Sequence, residues 1–150
     1  MLFTAGQMRT TFGLSKQQWR SYRSALAPLT RDQGRAACFS ATDLLATSVI
    51  HRVSTGLSVP INVFAAFAEP MFQLLASCPW PQLERSLLSI DVERSRVELV
   101  DGDGEMSSTP VILLVELAPM IAELRGRLLT GVQDPQRDLA FPPMIAKVRR

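Results

Sequence analysis

The residues best suited to do chemistry lie in one short stretch near the start of the chain. Residues 15–24 carry cationic and amide side chains and contain no glycine or proline. The amides of Gln17 and Gln18 can pair with adenine edges, whereas Lys16 and Arg20 can pair with guanine or phosphate. This set of side chains predicts contact with DNA, with an ordinary solvated helix face as the alternative.

The other reactive side chains do not form a recognisable site. The single histidine, His51, has no second ligand one helical turn away, which argues against a metal site, and most hydrolase triads need a histidine near a nucleophile. Cys38 and Cys78 lack a close cysteine or histidine partner. The acidic turn at 101–105 resembles only a fragment of a calcium loop. We therefore expect a protein that is not an enzyme, with no metal and no cofactor.

Length, composition and charge set further limits. The chain has 150 residues, 47% of them hydrophobic, which is enough to bury the core of one domain or of two small ones. Its net charge is only +2, but residues 1–60 carry a net +5 and residues 61–130 a net −5. The basic part is the part expected to meet a polyanion, and the acidic part is better placed to meet protein.

No segment of the sequence predicts contact with a membrane. The candidate run from Val111 to Val115 stops at Glu116, far short of the roughly 18 apolar residues that span a bilayer. Gln7, Arg9 and Thr10 interrupt any apolar run near the N-terminus, so we expect no signal peptide. We expect a cytoplasmic, nucleoid-associated protein.

Two short helices joined by a glycine turn position the basic stretch. Thr4 is a good N-cap for a first helix through Thr11, and Ser15 is a good N-cap for a second helix over residues 16–24. Gly13 allows the sharp turn between them. This is the helix-turn-helix pattern.

A β-hairpin is predicted directly after the second helix. Residues 26–30 and 36–39 have the composition of short strands, and residues 31–35 have turn chemistry. A hairpin in this place is a wing. The wing would lie beside the helix-turn-helix and extend its contact with a ligand.

Two further helices complete the N-terminal part. Ser40 caps a third helix that runs to about Ser54, with Gly56 as its C-terminal stop. Ser58 caps a fourth helix, which is apolar nearly all round and must be buried on more than one side. Pro70 is expected to kink or end it.

The second part of the chain has a sequence pattern typical of β-strands. After the boundary at residues 78–81, the segments 87–92, 96–100 and 111–117 predict two or three strands. Pro119 then opens a helix that ends at Gly131. The apolar stripe of that helix belongs either to the core or to a dimer face.

An ordered set of short motifs runs through about residues 3–68. The motifs are Phe3-Thr4-Ala5-Gly6-Gln7-Met8, Gly13-Leu14-Ser15, Trp19-Arg20-Ser21-Tyr22, Arg31, Gly34, Phe39-Ser40, Asp43-Leu44 and Gly56-Leu57-Ser58. In this order and with these gaps they resemble the N-terminal domain of the MerR-type transcription regulators. In that family the second helix enters the major groove of DNA and the wing touches the flanking backbone.

The resemblance implies which side chains contact DNA and which pack the domain. Trp19 takes the position that packs the second helix onto the domain, and Arg31 takes that of the wing arginine. The full set of implied DNA contacts is Ser15, Lys16, Gln17, Gln18, Arg20, Ser21, Tyr22, Arg23, Arg31 and Arg35.

Together these observations predict a mainly α fold with small β elements. We expect a MerR-like winged helix-turn-helix domain over residues 1–77 and an α+β oligomerisation or accessory domain over 80–131. A flexible, Pro-rich basic tail would follow over 132–150. The long C-terminal dimer helix of the family is not visible, and the β-containing segment takes its place.

The predicted function is that of a sequence-specific, DNA-binding transcription regulator. One short helix-turn-helix buries little surface, so we expect a homodimer through the C-terminal segment. Its partners would be double-stranded DNA and RNA polymerase or another protein.

Two alternatives stay open. One is an excisionase-like architectural protein that bends DNA. The other is a protein-interaction adaptor that has lost DNA binding, because Ala36 and Ala37 stand where the family has Tyr-Arg in its wing. Arg9 also stands where the first helix of the family has a small residue.

Overall fold

The architecture is mainly helical, with two small antiparallel sheets. The computed structural model describes residues 1–31, 36–104 and 109–132. The helices are α1 (Ala5–Thr11), α2 (Lys16–Ala25), α3 (Ala41–Leu57), α4 (Ala65–Ser77), α5 (Trp80–Leu83) and α6 (Leu117–Val132). The strands are β1 (Leu2–Phe3), β2 (Phe39–Ser40), β3 (Ser86–Asp91), β4 (Arg96–Asp101) and β5 (Ile112–Glu116). The prediction of a mainly α chain with small β elements is confirmed.

Local sequence signals fix the first two helices and the turn between them. Thr4 and Ser15 each accept a backbone hydrogen bond at the start of their helix, from Gln7 and Gln18, whose side chains bond back to the cap. At the end of α1, Gly13 has φ +64°, and its N–H donates to the carbonyl of the residue three before it. The next N–H donates five residues back, which completes a Schellman turn. The predicted helix-glycine turn-helix is confirmed.

The predicted wing hairpin is wrong in its first strand. Residues Ala27–Arg31 form a 3₁₀-helix instead. Pro28 has no N–H to donate to a ladder, and Leu26 and Leu29, three positions apart, are both fully buried, which a 3₁₀ turn allows and an alternating strand does not. The strand β2 pairs with β1, opposite Phe3, and not with residues 26–30. The predicted turn at residues 32–35 lies outside the described residues.

The third helix is longer than the sequence suggests. It begins at the predicted cap, Ser40, but continues through Gly56 to Leu57. Ser58 does not cap the next helix; it adopts the left-handed conformation, with φ 54°, and ends α3. The hydroxyl of Ser54 donates to the carbonyl of Val59 and holds this turn. The predicted stop at Gly56 is therefore wrong, because Ser58 and not Gly56 adopts the left-handed conformation that ends the helix.

The next helical segment also starts differently from the prediction. A 3₁₀-helix, Ile61–Phe64, precedes α4, and α4 continues through Pro70 to Ser77. Phe64, Phe67 and Met71 are buried, but the residues between them, such as Ala66, are exposed. The expected burial on more than one side is therefore wrong, because the apolar residues follow one face that packs on α3 and Pro70 lies on the exposed face.

The larger sheet has the strand order β4-β3-β5, all antiparallel. Its inner face carries Leu88 and Ile90 of β3, which lie opposite apolar residues of both neighbouring strands. Asp91 ends β3 and stabilises the following turn, because one of its oxygens accepts the backbone N–H groups of Glu93 and Arg94. The three strands predicted after residue 81 are confirmed, with bounds shifted by at most one residue.

The hydrophobic core is continuous across the described chain. One cluster of buried side chains extends from Met8 and Trp19 near the N-terminus to Leu88 in the sheet and Leu124 in α6. The apolar stripe of α6, left open between core and dimer face, is buried within the chain, where α6 packs on α3 and β3. No helix in the part of the chain described is long and apolar enough to cross a bilayer.

Two glycines with equally open surroundings test the role of the turn after α1. An added Cβ would meet nothing within 4 Å at either Gly13 or Gly56, but only Gly13 has a positive φ. We expect Gly13→Ala to lower the free energy of unfolding by about 1 kcal/mol. Gly56→Ala, inside a helix, should raise it by about 0.5 kcal/mol. Urea denaturation of both variants measures the difference, and equal effects would contradict the assigned backbone conformations.

Candidate nucleic-acid interface

One face of α2 is exposed along its whole length. The side chains on this face are those of Lys16, Gln17, Arg20, Ser21 and Ser24, which repeat at helical spacing. They define what we call the α2 stripe. Sequence reasoning did not include Ser24, although its position, four residues after Arg20, could have shown that it shares this face.

Aromatic contacts hold the opposite face of α2 against the domain. Trp19 packs edge-on against Phe39, with ring centroids 6.0 Å apart, as the resemblance implied for its packing role. Tyr22 lies 6.0 Å from the ring of His51 in α3, and its Oη is 2.6 Å from Nδ1 of His51. Both α2 side chains are buried. The expected DNA contact by Tyr22 is therefore wrong, because this side chain faces inward, three positions after Trp19.

The start of α2 uses two of the expected contact residues for its own cap. The hydroxyl of Ser15 accepts the backbone N–H of Gln18 at 3.1 Å, and Oε1 of Gln18 accepts the backbone N–H of Ser15 at 2.8 Å. A glutamine that reads adenine needs its amide oxygen to accept from the base. Gln17, which has no such side-chain bond among the described residues, is the amide better placed to reach a base.

The cations of the α2 stripe differ from the ion-paired arginines in the described part of the chain. Lys16 and Arg20 form no ion pair with any carboxylate of the described residues. Five other arginines are ion-paired: Arg31, Arg52, Arg96, Arg125 and Arg127. Exposed, uncompensated cations on a helix are suited to bind an anion such as phosphate.

Arg31 has a structural partner. Its guanidinium lies 2.9 Å from the buried carboxylate of Asp43, and its Nε donates to the carbonyl of Pro28. Asp43 also caps α3 by accepting the backbone N–H of Ser40. Arg31 therefore ties the 3₁₀ turn to the start of α3, and its expected contact with phosphate stays a prediction.

The two other arginines expected at DNA contribute less to the exposed face. Arg23, near the end of α2, is half-buried and engaged in a polar contact. Arg35 lies outside the described residues. The structure thus brings together Lys16, Gln17, Arg20 and Ser21 from the expected set, and adds Ser24.

His51 lies in a positively charged, partly buried place behind α2. Burial, followed by the charges of Arg52 and Arg127, lowers the pKa of this imidazole below its usual value. Its ring also lies 5.5 Å from that of Phe12, which follows α1. Burial raises the pKa of Tyr22, so the phenol stays protonated and can donate to Nδ1. His51 therefore joins α2 and the residue that ends α1 to α3 as a neutral side chain.

A second contact joins α6 to the end of α1. Arg127 of α6 donates to the backbone carbonyl of Thr11 at 2.6 Å, close to the last turn of α1. Glu123, one turn earlier in α6, pairs with both Arg127 and Arg52. Sequence reasoning did not find this contact, because 116 residues separate its two ends.

The remaining reactive groups lie elsewhere. Cys38 and Cys78 are free and half-buried. The described residues contain no group of three or more His, Cys, Asp or Glu side chains that could hold a metal ion. Burial alone would raise the pKa of Asp91, but hydrogen bonds from Arg94 and Thr109 outweigh it and lower the pKa. Those bonds fix a turn and the approach to β5.

No protein-family model, curated protein or solved structure matches the chain. The interface is therefore defined by its own geometry. It consists of an exposed polar and cationic stripe on a helix whose opposite face is fixed by buried aromatic residues.

The buried position of Tyr22 separates packing from DNA contact. We expect Tyr22→Phe to lower the free energy of unfolding by about 1 kcal/mol, because the hydrogen bond to His51 is lost. The α2 stripe does not change in this variant, so affinity for duplex DNA should stay at the wild-type value. Denaturant unfolding and DNA titration of the same sample test both points. A large loss of affinity with unchanged stability would place Tyr22 at the DNA after all.

The lowered pKa of His51 predicts how stability depends on pH. As pH falls from 7.5 to 5.5, the unfolded chain takes up a proton at its histidine, near pKa ~6.5, before the folded chain does. Folding stability should therefore fall with pH in this window. Because the chain has 1 histidine, His51→Gln should remove most of this fall. Melting temperatures at the two pH values test this, and an equal fall in the variant would contradict it.

Proposed function

We propose that this protein is a DNA-binding regulator whose helix α2 lies in the major groove of duplex DNA. The observation that carries the proposal is the α2 stripe, where Lys16 and Arg20 stand exposed without a carboxylate partner among the described residues. A cationic helix face of this kind matches the charge of the phosphate backbone.

The shape of α2 supports the same ligand. An α-helix fits the major groove of B-DNA, which is about 12 Å wide. The preceding turn and the helix α1 leave the first residues of α2 exposed, and recognition helices contact bases mainly through their N-terminal residues. Trp19 and Tyr22 keep the helix from rotating away from this orientation.

The side chains of the α2 stripe divide into two proposed roles. Gln17 and Arg20 contact base edges, since a glutamine amide matches adenine and an arginine matches guanine. Lys16, Ser21 and Ser24 contact phosphate and fix the position of the helix on the duplex. Arg31 and Tyr22 are left out of this set because their partners lie within the protein.

One copy of this interface is small. Three or four side chains on a single helix contact few base pairs, and proteins of this class reach specificity by binding two half-sites with a two-fold dimer. We therefore propose a homodimer as the DNA-binding form. RNA polymerase or another protein would then be the partner through which a bound dimer regulates transcription.

Arg20→Ala tests the proposed contact most simply. We expect it to weaken binding to duplex DNA by about 1–3 kcal/mol and to reduce the slope of log affinity against log salt by about 1. Arg94→Ala is the matched control, because it removes the same charge from the exposed turn between β3 and β4. Fluorescence anisotropy with a labelled random-sequence duplex, starting at low salt, measures both quantities.

Two results would contradict the proposal. If Arg20→Ala and Arg94→Ala weaken binding equally, the contact is unspecific charge attraction and α2 is not the interface. If the wild-type chain does not bind duplex DNA even at low salt, the helix-turn-helix serves as a protein-interaction module. That second result would favour the adaptor. The cap bond of Gln18 and the ion pair of Arg31 agree with this alternative, because they leave fewer side chains free to contact DNA.

A further inference from the structure

The outer edge of strand β5 is open in the described structure. In the order β4-β3-β5, β5 pairs with β3 on one side and with no other described strand. Its backbone groups on the other side can pair with an added strand. The sequence of this edge, Val111 followed by Ile112–Glu116, is apolar except for its last residue.

The two edges of the sheet differ in how they resist pairing. Strand β4 carries charged residues at its edge, Arg96, Glu98 and Asp101, a usual device against association. Strand β5 carries none before Glu116, and its exposed residues include Val111 at 50% and Leu114 at 43% relative exposure. Natural sheets protect such an edge or use it for binding.

A groove follows the open edge of β5. It has a volume of about 480 Å³, and its lining includes residues 113–116 of β5 together with Leu57, Pro119 and Met120. Neighbouring residues of a strand point to opposite faces of the sheet, so a groove lined by four consecutive ones runs along the edge and not over one face. Leu57, at the end of α3, is 56% exposed there.

We infer that β5 pairs edge to edge with β5 of a second copy of this chain, which makes one continuous sheet of two protomers. In the antiparallel register centred on Leu114, Leu114 lies opposite itself and Ile112 lies opposite Glu116. This register places the two Glu116 carboxylates at opposite ends of the pairing, so no like charges meet. The partner's inward side chains enter the groove beside Leu57 and Met120.

The edge suits a copy of itself better than a foreign peptide. Its apolar run is short, and both strands bring the same groove, so the contacts with the groove occur twice. Strand pairing alone buries little surface, and the apolar residues of α3 and α6 around the groove add to it. The inference also rests in part on the proposed function, which requires two copies on one DNA site.

A charge placed on Leu114 tests this pairing. The side chain lies on the outer face of the sheet, in one row with Ser89 and Glu98, and is not part of the buried core. We expect the wild-type chain to sediment at twice its mass of 16.6 kDa. Leu114→Lys should weaken dimerisation roughly 10-fold or more, because two like charges then lie opposite each other. Glu98→Lys, on the same face at the other edge, is the control and should stay dimeric.

Mixing two variants tests the register. Leu114→Lys and Leu114→Glu should each sediment mainly as monomers, whereas an equimolar mixture should recover a dimer, because opposite charges then face each other. Circular dichroism confirms that each variant is folded. Dimerisation of Leu114→Lys at wild-type strength would overturn the proposed pairing.

A monomeric wild-type chain at high micromolar concentration would also overturn it. Hydrogen exchange then identifies the other occupant: protection, in the monomer, of the β5 amides that do not bond to β3 would show that another segment of the same chain covers the edge. These measurements use no DNA. A dimer that fails to bind DNA contradicts only the DNA contact of α2. A monomer that binds DNA through α2 contradicts the pairing and the proposed homodimer, but not the DNA contact.

Discussion

The proposed function depends on how one short helix is fixed to the domain beneath it. A ten-residue helix is marginally stable by itself in water. Here Trp19 packs against Phe39 and Tyr22 bonds to His51, so two buried contacts, three residues apart, set the rotation of α2. Because the inward face is fixed, the outward face is fixed as well. The exposure of Lys16 and Arg20 is thus a consequence of aromatic packing on the other side of the helix.

The contact between Tyr22 and His51 also connects α2 to distant parts of the chain. His51 contacts α2 through Tyr22, and Arg127 of α6 both lowers the pKa of His51 and bonds to the carbonyl of Thr11. Helix α6 begins directly after β5, the strand at the open edge of the sheet. The segment proposed to join two protomers is therefore connected, through Arg127 of α6, to the end of α1 and to the histidine behind α2. A dimer built in this way would hold its two α2 helices at a defined separation, which is what two half-sites require.

Sequence reasoning succeeded where the signal was local and failed where a distant partner decided the outcome. The caps at Thr4 and Ser15 and the turn at Gly13 depend on residues within five positions, so the two helices and the turn between them could be predicted. The hairpin after α2 could not, since the burial of Leu26 and Leu29 is decided by the core and β2 pairs with the N-terminal β1. Tyr22 was assigned to DNA because the family resemblance was given more weight than its helical spacing from the buried Trp19. The pairing of Arg31 with Asp43 could not be predicted from local signals, because 12 residues separate the two side chains.

Chemical-shift mapping of the full-length chain with duplex DNA tests the central claim most directly. Backbone amide shifts would be recorded while a random-sequence duplex is added at low salt. The proposed function predicts that the largest changes fall on α2, from Lys16 to Ser24, and on the turn before it, while β4 stays unchanged. No change in α2, with or without changes elsewhere on the surface, would contradict the assignment of this helix as the DNA-binding element.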